Sequence, residues 1–165
     1  MKFEYVLEGN NINKKFRGFT LDVPHFHIPK GFATALIGEN GAGKTTLMNI
    51  LAGIRLDYKG ELTYFGQYHD KDREDNPIVK EQYAYTGPGT YYLPQWTVGQ
   101  IRNLNQLLFE NFHEDRFEAL CERLAVGGEG NVSKKKVRSL SDGNKMKLMI
   151  ASALARDTKL LMMDE

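Results

Sequence analysis

Gly38-Glu39-Asn40-Gly41-Ala42-Gly43-Lys44-Thr45-Thr46 lies between an apolar run from Phe32 to Ile37 and another from Leu47 to Ala52. Glycines at positions 38, 41 and 43 let the backbone turn its N–H groups inward around an anion, as gripping a polyphosphate requires. Lys44 can set an ammonium against the outer phosphates, and Thr45, at the mouth of the following helix, offers a hydroxyl to a magnesium ion. The pattern arises by chance in a chain of this size on the order of once in a hundred. Its place between a strand-like and a helix-like run separates a phosphate-binding loop from a mere glycine-rich turn. Gly38, Asn40, Gly41, Ala42, Gly43, Lys44, Thr45 and Thr46 are therefore the candidate nucleotide-binding residues.

Around that loop, 165 residues that are 41% hydrophobic and 26% charged make an ordinary globular balance, enough for one domain with a real core and against disorder. The 22 basic side chains face 21 acidic ones, a formal net of +1, so no charge footprint points to nucleic acid. Cys121 is the sole cysteine, which forbids an intramolecular disulfide and fits a reducing compartment such as the cytoplasm. No apolar run approaches the ~18 residues of a membrane span, and the start, Met1-Lys2-Phe3-Glu4-Tyr5, is not a signal peptide. Any membrane link is expected through a partner.

Upstream of the loop, β-rich runs at Phe3 to Leu7, Phe19 to Val23 and Phe26 to Ile28 predict antiparallel strands. Turn signals at Gly9-Asn10-Asn11, Arg17-Gly18 and Pro29-Lys30-Gly31 separate them. His25 and His27 flank Phe26 in an alternating stretch, which reads as a solvated strand face because no third metal ligand accompanies them. Downstream, Gly53 should stop the loop's helix, Gly60 to Gly66 predicts a short strand, and His69 to Asn76 a polar surface loop. Tyr83 to Thr86 predicts a strand leading into Gly87-Pro88-Gly89, and Tyr91, Tyr92 and Trp96 behind it suit either a core or a docking surface. Helical spacing at Ile101, Leu104, Leu107 and Leu108, then at Phe117, Leu120, Cys121 and Leu124, predicts two amphipathic helices with Cys121 as buried filler. Val132 to Arg138, with its three lysines, reads as a solvated basic loop, and Lys145 to Ala155 as a third helix whose methionines serve packing.

Leu160 to Met163 is a continuous apolar run of the kind found in a buried parallel strand, and it delivers Asp164 and Glu165 at its C-terminal end. Open α/β sheets bind ligands at that end. One acid there can hold the magnesium that Thr45 shares, and the next can orient or deprotonate a water for attack on a γ-phosphate. Coupled to the phosphate loop far upstream, the paired acids make a nucleotide hydrolase the leading reading. Ahead of the third helix, Ser141 suits the N-cap and Gly143 lets a phosphate approach the backbone amides.

With these elements in order, the chain resembles the ATP-binding subunit of ATP-binding-cassette (ABC) transporters along nearly all of its length. The residues that carry the likeness are a Walker A loop at Gly38 to Thr45, a helical stretch, a degenerate signature at Leu140 to Asn144, and a Walker B strand ending in Asp164-Glu165. The family signature reads Leu-Ser-Gly-Gly-Gln; here Asp142 replaces the first glycine and Asn144 the glutamine.

The resemblance implies an α/β fold, a P-loop NTPase (ABC ATPase) core with an N-terminal antiparallel β subdomain and a helical subdomain, its C-terminal strands missing. Residues 1–85 would form the β subdomain and P-loop core, 86–140 the Q-loop region and helical subdomain, and 141–165 the signature helix and Walker B strand. It implies ATP and Mg2+ as ligands, with Phe16, or Phe19 as the other candidate, stacking on adenine. Lys44 and Thr45 would bind phosphates and magnesium, Asp164 would join the magnesium shell, and Glu165 would serve as catalytic base, with Lys44 the other catalytic residue. Ser141 and Gly143 would complete the site of a second ATP-binding subunit in a head-to-tail dimer. Asp142 in that place repels a γ-phosphate unless it is turned away.

Counting back from Trp96-Thr97-Val98, the family's loop glutamine falls near Gly87 or Pro88, with Gln82 and Gln95 on either side. In the family a further strand bearing a switch histidine follows Walker B, so the 165-residue piece is expected to be cut and impaired in ATP turnover. The implied function is an ATPase that couples ATP-driven dimerisation to transport by separate integral membrane subunits. It would be cytoplasmic, peripheral at the inner face of the membrane, and without a nucleic-acid partner. The phosphate loop and the lysine-rich stretch near the signature resemble exporter-type systems. The alternatives are a soluble ABC ATPase acting on ribosomes or DNA, and a non-hydrolysing regulatory module, which Glu165 opposes.

Overall fold

The computed structural model describes residues 4–72, 75–88 and 92–164, which fall into two units, Met1–Lys80 and Glu81–Glu165. In the first unit, β1 (Tyr5–Phe16) and β2 (Phe19–Pro29) form one long antiparallel hairpin closed at Arg17-Gly18, with Phe16 opposite Phe19. β1 pairs on its other side with β3 (Lys59–Tyr64), and β3 with the two-residue β4 (Tyr68–His69), in the order β2-β1-β3-β4. Leu7, Ile12, Leu21, Leu62 and Tyr64 are buried, as are Leu47, Ile50 and Leu51 of helix α1 (Lys44–Leu51). Burying such a side chain contributes about 1.5–3 kcal/mol. The Tyr64 hydroxyl donates to the Leu51 carbonyl at 2.6 Å and so pins β3 to the end of α1.

The helix stops where the sequence predicts. Gly53 is left-handed at φ 63, its N–H bonds the Ile50 carbonyl at 3.0 Å, and the Ile54 N–H bonds the Asn49 carbonyl at 2.9 Å. That pair of bonds satisfies carbonyls the last turn would leave orphaned.

The Gly9-Asn10-Asn11 turn signal does not break the strand. β1 runs through it, with Asn11 at φ 51 and the register against β3 shifting between Asn10 and Asn13. Pairing on both sides holds the strand together, and the signal is spent on a bulge instead. Gly9 and Gly60 answer to close approach: a Cβ at Gly9 would stand 2.1 Å from the Phe26 ring, and one at Gly60 would stand 2.3 Å from the Asn11 carbonyl oxygen. Pro24 sits within β2, which lies at the edge of the sheet order, where a missing N–H is tolerated.

Two further expectations are corrected in this unit. Residues 33–37 form no strand and belong to neither sheet, with Phe32 67% and Ile37 89% exposed. An apolar run becomes a strand only with a partner edge, and none of the described strands supplies one. The stretch from His69 to Asn76 is not a plain surface loop: it begins in β4 and ends in helix α2 (Asp75–Gln82). Within it the buried Asp70 carboxylate accepts from the Tyr58 hydroxyl and, at 3.3 Å, from the Leu62 N–H. Burial pushes the Tyr58 phenol upward, so it remains a donor.

In the second unit, β5 (Tyr83–Thr86) and β6 (Leu160–Met163) pair in parallel, Tyr83 opposite Leu160 and Thr86 opposite Met163. α3 (Val98–Leu108) opens on a reciprocal capping box between Thr97 and Gln100. It is followed by α4 (Glu114–Arg123) and α5 (Asp142–Leu154). Ile101, Phe117, Cys121, Val137, Leu148 and Ala151 are buried in one cluster, and Tyr92 and Trp96 pack against it. Those two described aromatics thus belong to the core; Tyr91 lies outside the described residues.

Three patterns depart from the sequence reading here. α3 buries Val98, Ile101 and Asn105, while Leu107 is 82% and Leu108 59% exposed, so its inward face is shorter than the leucine spacing predicts. β6 is buried on one face only, with Met162 inside and Leu161 and Met163 exposed. The basic run from Val132 to Arg138 forms two 3-10 turns, Val132–Lys134 and Val137–Ser139, with Val137 buried. The Val98 N–H bonds the Lys135 carbonyl at 3.0 Å and the Val137 N–H bonds the Trp96 carbonyl at 2.9 Å. The Lys135 ammonium donates to the carbonyls of Gly127 and Glu129, while Lys134, Lys136 and Arg138 are exposed as the solvated reading expects.

Candidate nucleotide-binding site

The phosphate loop owes its shape to glycines in conformations that other residues avoid. Gly41 lies at φ 85 and Gly43 at φ 94. Gly43 is also the N-cap of α1, and no side chain caps that helix end, which leaves its N-terminal pole to an anion. The Lys44 ammonium curls back over the loop and donates to the carbonyls of Gly38 at 2.8 Å and Glu39 at 3.0 Å. The loop from Gly38 to Ala42 is exposed, and the Ala42 N–H closes a turn on the Glu39 carbonyl at 3.2 Å.

Both adenine-stacking candidates stand in this unit beside the loop. A Cβ at Gly43 would meet the Phe19 ring at 2.8 Å and the Leu21 side chain at 3.2 Å, so the hairpin closes directly against the loop. Phe16 stacks on Phe19 with ring centroids 6.1 Å apart and planes 27° from parallel. Phe16 is 38% and Phe19 36% exposed, so each keeps ring surface for a ligand. On the Phe16 side, the Arg55 guanidinium lies 5.3 Å and the Lys14 ammonium 5.5 Å from the ring centroid. Neither cation stood out in the sequence: Lys14 is one of three basic residues flanking Phe16, and Arg55 is a single charge past the Gly53 stop.

The signature lies in the second unit. Ser141 is extended at ψ 161 and its Oγ accepts from the Asn144 N–H at 3.3 Å, a standard N-cap. α5 starts at Asp142, three residues ahead of the Lys145 start read from the periodicity, because the cap precedes the apolar pattern. A Cβ at Gly143 would meet nothing within 4 Å, so the first turn is open to an approaching group. Asp142 is 98% exposed in its side chain and accepts from the Lys145 ammonium at 2.8 Å. That hydrogen bond, with the lysine's charge, holds its carboxyl below the usual range.

At the end of β6, Asp164 is buried and its N–H donates to the Thr86 carbonyl at 2.8 Å. Glu165 lies outside the described residues. Thr45 lies in the first unit and Asp164 in the second, and each carries a hard oxygen donor of the type Mg2+ takes alongside phosphate oxygens and water. Gln82 ends α2 and Gln95 is exposed, and neither Gly87 nor Pro88 carries an amide side chain for the family's glutamine role. His25 bonds Asn10 at 2.8 Å between its Nδ1 and the amide oxygen. Burial pushes the Cys121 thiol up to about 11, which keeps it protonated packing rather than a nucleophile.

Sequence reasoning missed Arg156. It is 8% exposed, lies 3.5 Å over the Phe109 ring, and donates to the Glu81 carbonyl at 3.0 Å and to Asn111 Oδ1 at 3.3 Å. It joins the end of α2, the turn after α3 and the segment before β6 in one buried network. A lone arginine after an alanine-rich helix gives no sequence signal of that.

Residues 21–165 match the family model described as ABC transporter. The tungstate uptake system ATP-binding protein TupC of Peptoclostridium acidaminophilum is 29% identical over 157 residues, covering 94% of this chain and 70% of its own. The xylose import ATP-binding protein XylG of Thermoanaerobacter pseudethanolicus is 31% identical over 177 aligned positions, covering 98% of this chain and 33% of its own. A solved structure described as an ATP-binding subunit of an ABC transporter superposes with a TM-score of 0.78 at 24% identity, covering 97% of this chain and 66% of that one. The chain therefore spans from a third to about 70% of the length of these relatives, and it shares the α/β P-loop fold of the solved neighbour.

Proposed function

The chain belongs to the ABC transporter family of ATP-binding proteins, and on that premise we propose that it is the ATP-binding and ATP-hydrolysing part of a transporter whose membrane-spanning subunits are separate chains. The observation that carries the proposal is the loop at Gly38 to Thr46, with two left-handed glycines, an uncapped helix N-terminus and a lysine folded over it. The loop's amides and Lys44 hold the β- and γ-phosphates, and Phe16 stacks on the base. Thr45 and Asp164 would each offer Mg2+ an oxygen ligand, and the ion would supply positive charge against the phosphate oxygens. Glu165 takes the proton of the attacking water. Ser141 and Gly143 close over the nucleotide of a second ATP-binding subunit in a head-to-tail dimer, and Asp142 stays turned away in its pair with Lys145.

Among the described residues no helix is long and apolar enough to cross a membrane. Attachment at the inner face of the cell membrane through partner subunits fits that observation. Relatives named for tungstate uptake and xylose import favour transport over action on ribosomes or DNA, and they do not support the exporter-type likeness. The test is steady-state ATPase activity of the full-length protein against its Glu165→Gln variant. A fall of roughly a hundredfold or more is expected from loss of a general base. Equal rates remove Glu165 from the mechanism.

A further inference from the structure

Phe16 is a partly exposed ring at the tip of a hairpin, where an untethered side chain loses rotamer freedom only when a ligand binds. The structure tethers it. Arg55 lies with its guanidinium carbon 5.3 Å from the ring centroid and Lys14 with its ammonium at 5.5 Å, both inside the range of a cation on an aromatic face. Asp57 holds both cations at once, accepting from Arg55 at 3.0 Å and from Lys14. Phe16 also stacks on Phe19, which lies against Gly43.

The backbone of Arg55 is equally fixed. Its N–H donates to the Asn49 carbonyl at 3.0 Å, beside the bond from Ile54 that ends α1. α1 is eight residues long, about 12 Å at the usual rise, and it begins at the phosphate loop. One short helix therefore sets the phosphate loop at its start and Arg55 just past its end, and the aromatic pair spans back from Arg55 to the loop.

We propose that Arg55, held by Asp57, is a positioning residue that presets the Phe16 ring for the nucleotide's base. The proposal rests on the reading of Phe16 as the base-stacking aromatic. It requires Arg55 to act on the base and not on the phosphates, a distinction that inorganic tripolyphosphate makes because it carries the phosphates alone. Equilibrium affinities for ATP and for tripolyphosphate are measured on the full-length protein and on Arg55→Ala, Arg55→Lys, Asp57→Asn and Phe16→Ala.

Arg55→Ala should weaken ATP binding about two- to fivefold, the size of an exposed cation–ring contact, and leave tripolyphosphate unchanged. Arg55→Lys, which keeps a cation, should recover most of the loss. Asp57→Asn, which keeps the shape and releases both cations, should mimic Arg55→Ala and stands in for it if the alanine variant does not fold. Equal weakening for both ligands overturns the proposal, since Arg55 would then act through charge on the phosphates. So does an unchanged ATP affinity in Arg55→Ala while Phe16→Ala weakens it. If Phe16→Ala itself leaves ATP affinity unchanged, the base-stacking reading falls, and the role of Arg55 with it.

Discussion

The Phe19 ring closes on Gly43: a Cβ added to that glycine would stand 2.8 Å from the ring's Cζ. The residue that turns the chain into α1 is thus also the floor on which the first hairpin rests, so phosphate grip and aromatic placement share one position.

Gly43→Ala faces both a left-handed φ of 94 and that contact. The backbone strain alone costs about 1–2 kcal/mol. Urea unfolding should show at least that loss, with weakened ATP binding because the loop and Phe19 must part. An alanine variant as stable as the parent would mean that the loop relaxes freely.

The loop was legible because its demands are local: a left-handed glycine, a helix start and a lysine fall within nine residues. The strand at Tyr83 to Thr86, the stop at Gly53 and the cap at Ser141 were legible for the same reason. What depended on partners was not. Asn11 looked like a turn until β3 lay alongside β1, and Leu107 and Leu108 looked inward until α3 proved to bury only Val98, Ile101 and Asn105. The run from Phe32 to Ile37 reads as a strand by composition, yet pairing is a property of two segments. Lys135 and Arg55 are charges whose roles come from residues at other turns of the chain, Gly127 and Phe16, which no spacing rule connects.

Arg156 anchors the second unit by stacking on Phe109 and bonding the Glu81 carbonyl and Asn111. Arg156→Ala removes one donor from each of these half-buried acceptors, the Glu81 carbonyl keeping the Asn111 amide at 2.7 Å, together with the ring contact, and should cost about 1–3 kcal/mol in urea unfolding. Arg156→Lys should regain only a minor part, since a point charge cannot reproduce a planar fork over a ring. Full recovery by lysine would show that charge alone matters.

Asp157 accepts from Arg116 at 2.7 Å and from His113 at 2.6 Å, and these bonds, Arg116 first, hold its carboxyl below its ordinary 3.8. A folded-state value below the unfolded one stabilises the fold fully above pH 3.8, and the contribution fades as pH falls through the lower folded value. Thermal melts of Asp157→Asn should therefore show a shallower acid limb below that pH than the parent. Parallel acid limbs would mean that the pair is not formed in solution.

The central claim is that the loop from Gly38 to Thr46 binds a nucleotide by its phosphates, and Lys44 tests it most directly. Its ammonium now rests on the carbonyls of Gly38 and Glu39, from which it can turn to a phosphate. Calorimetric titration of MgATP into the full-length protein and its Lys44→Ala variant gives the answer. A charge-assisted bond of about 1.5–3 kcal/mol predicts affinity lower by roughly ten- to a hundredfold, with the melting temperature nearly unchanged because the loop is exposed. ATP binding equally well to both proteins would contradict the account.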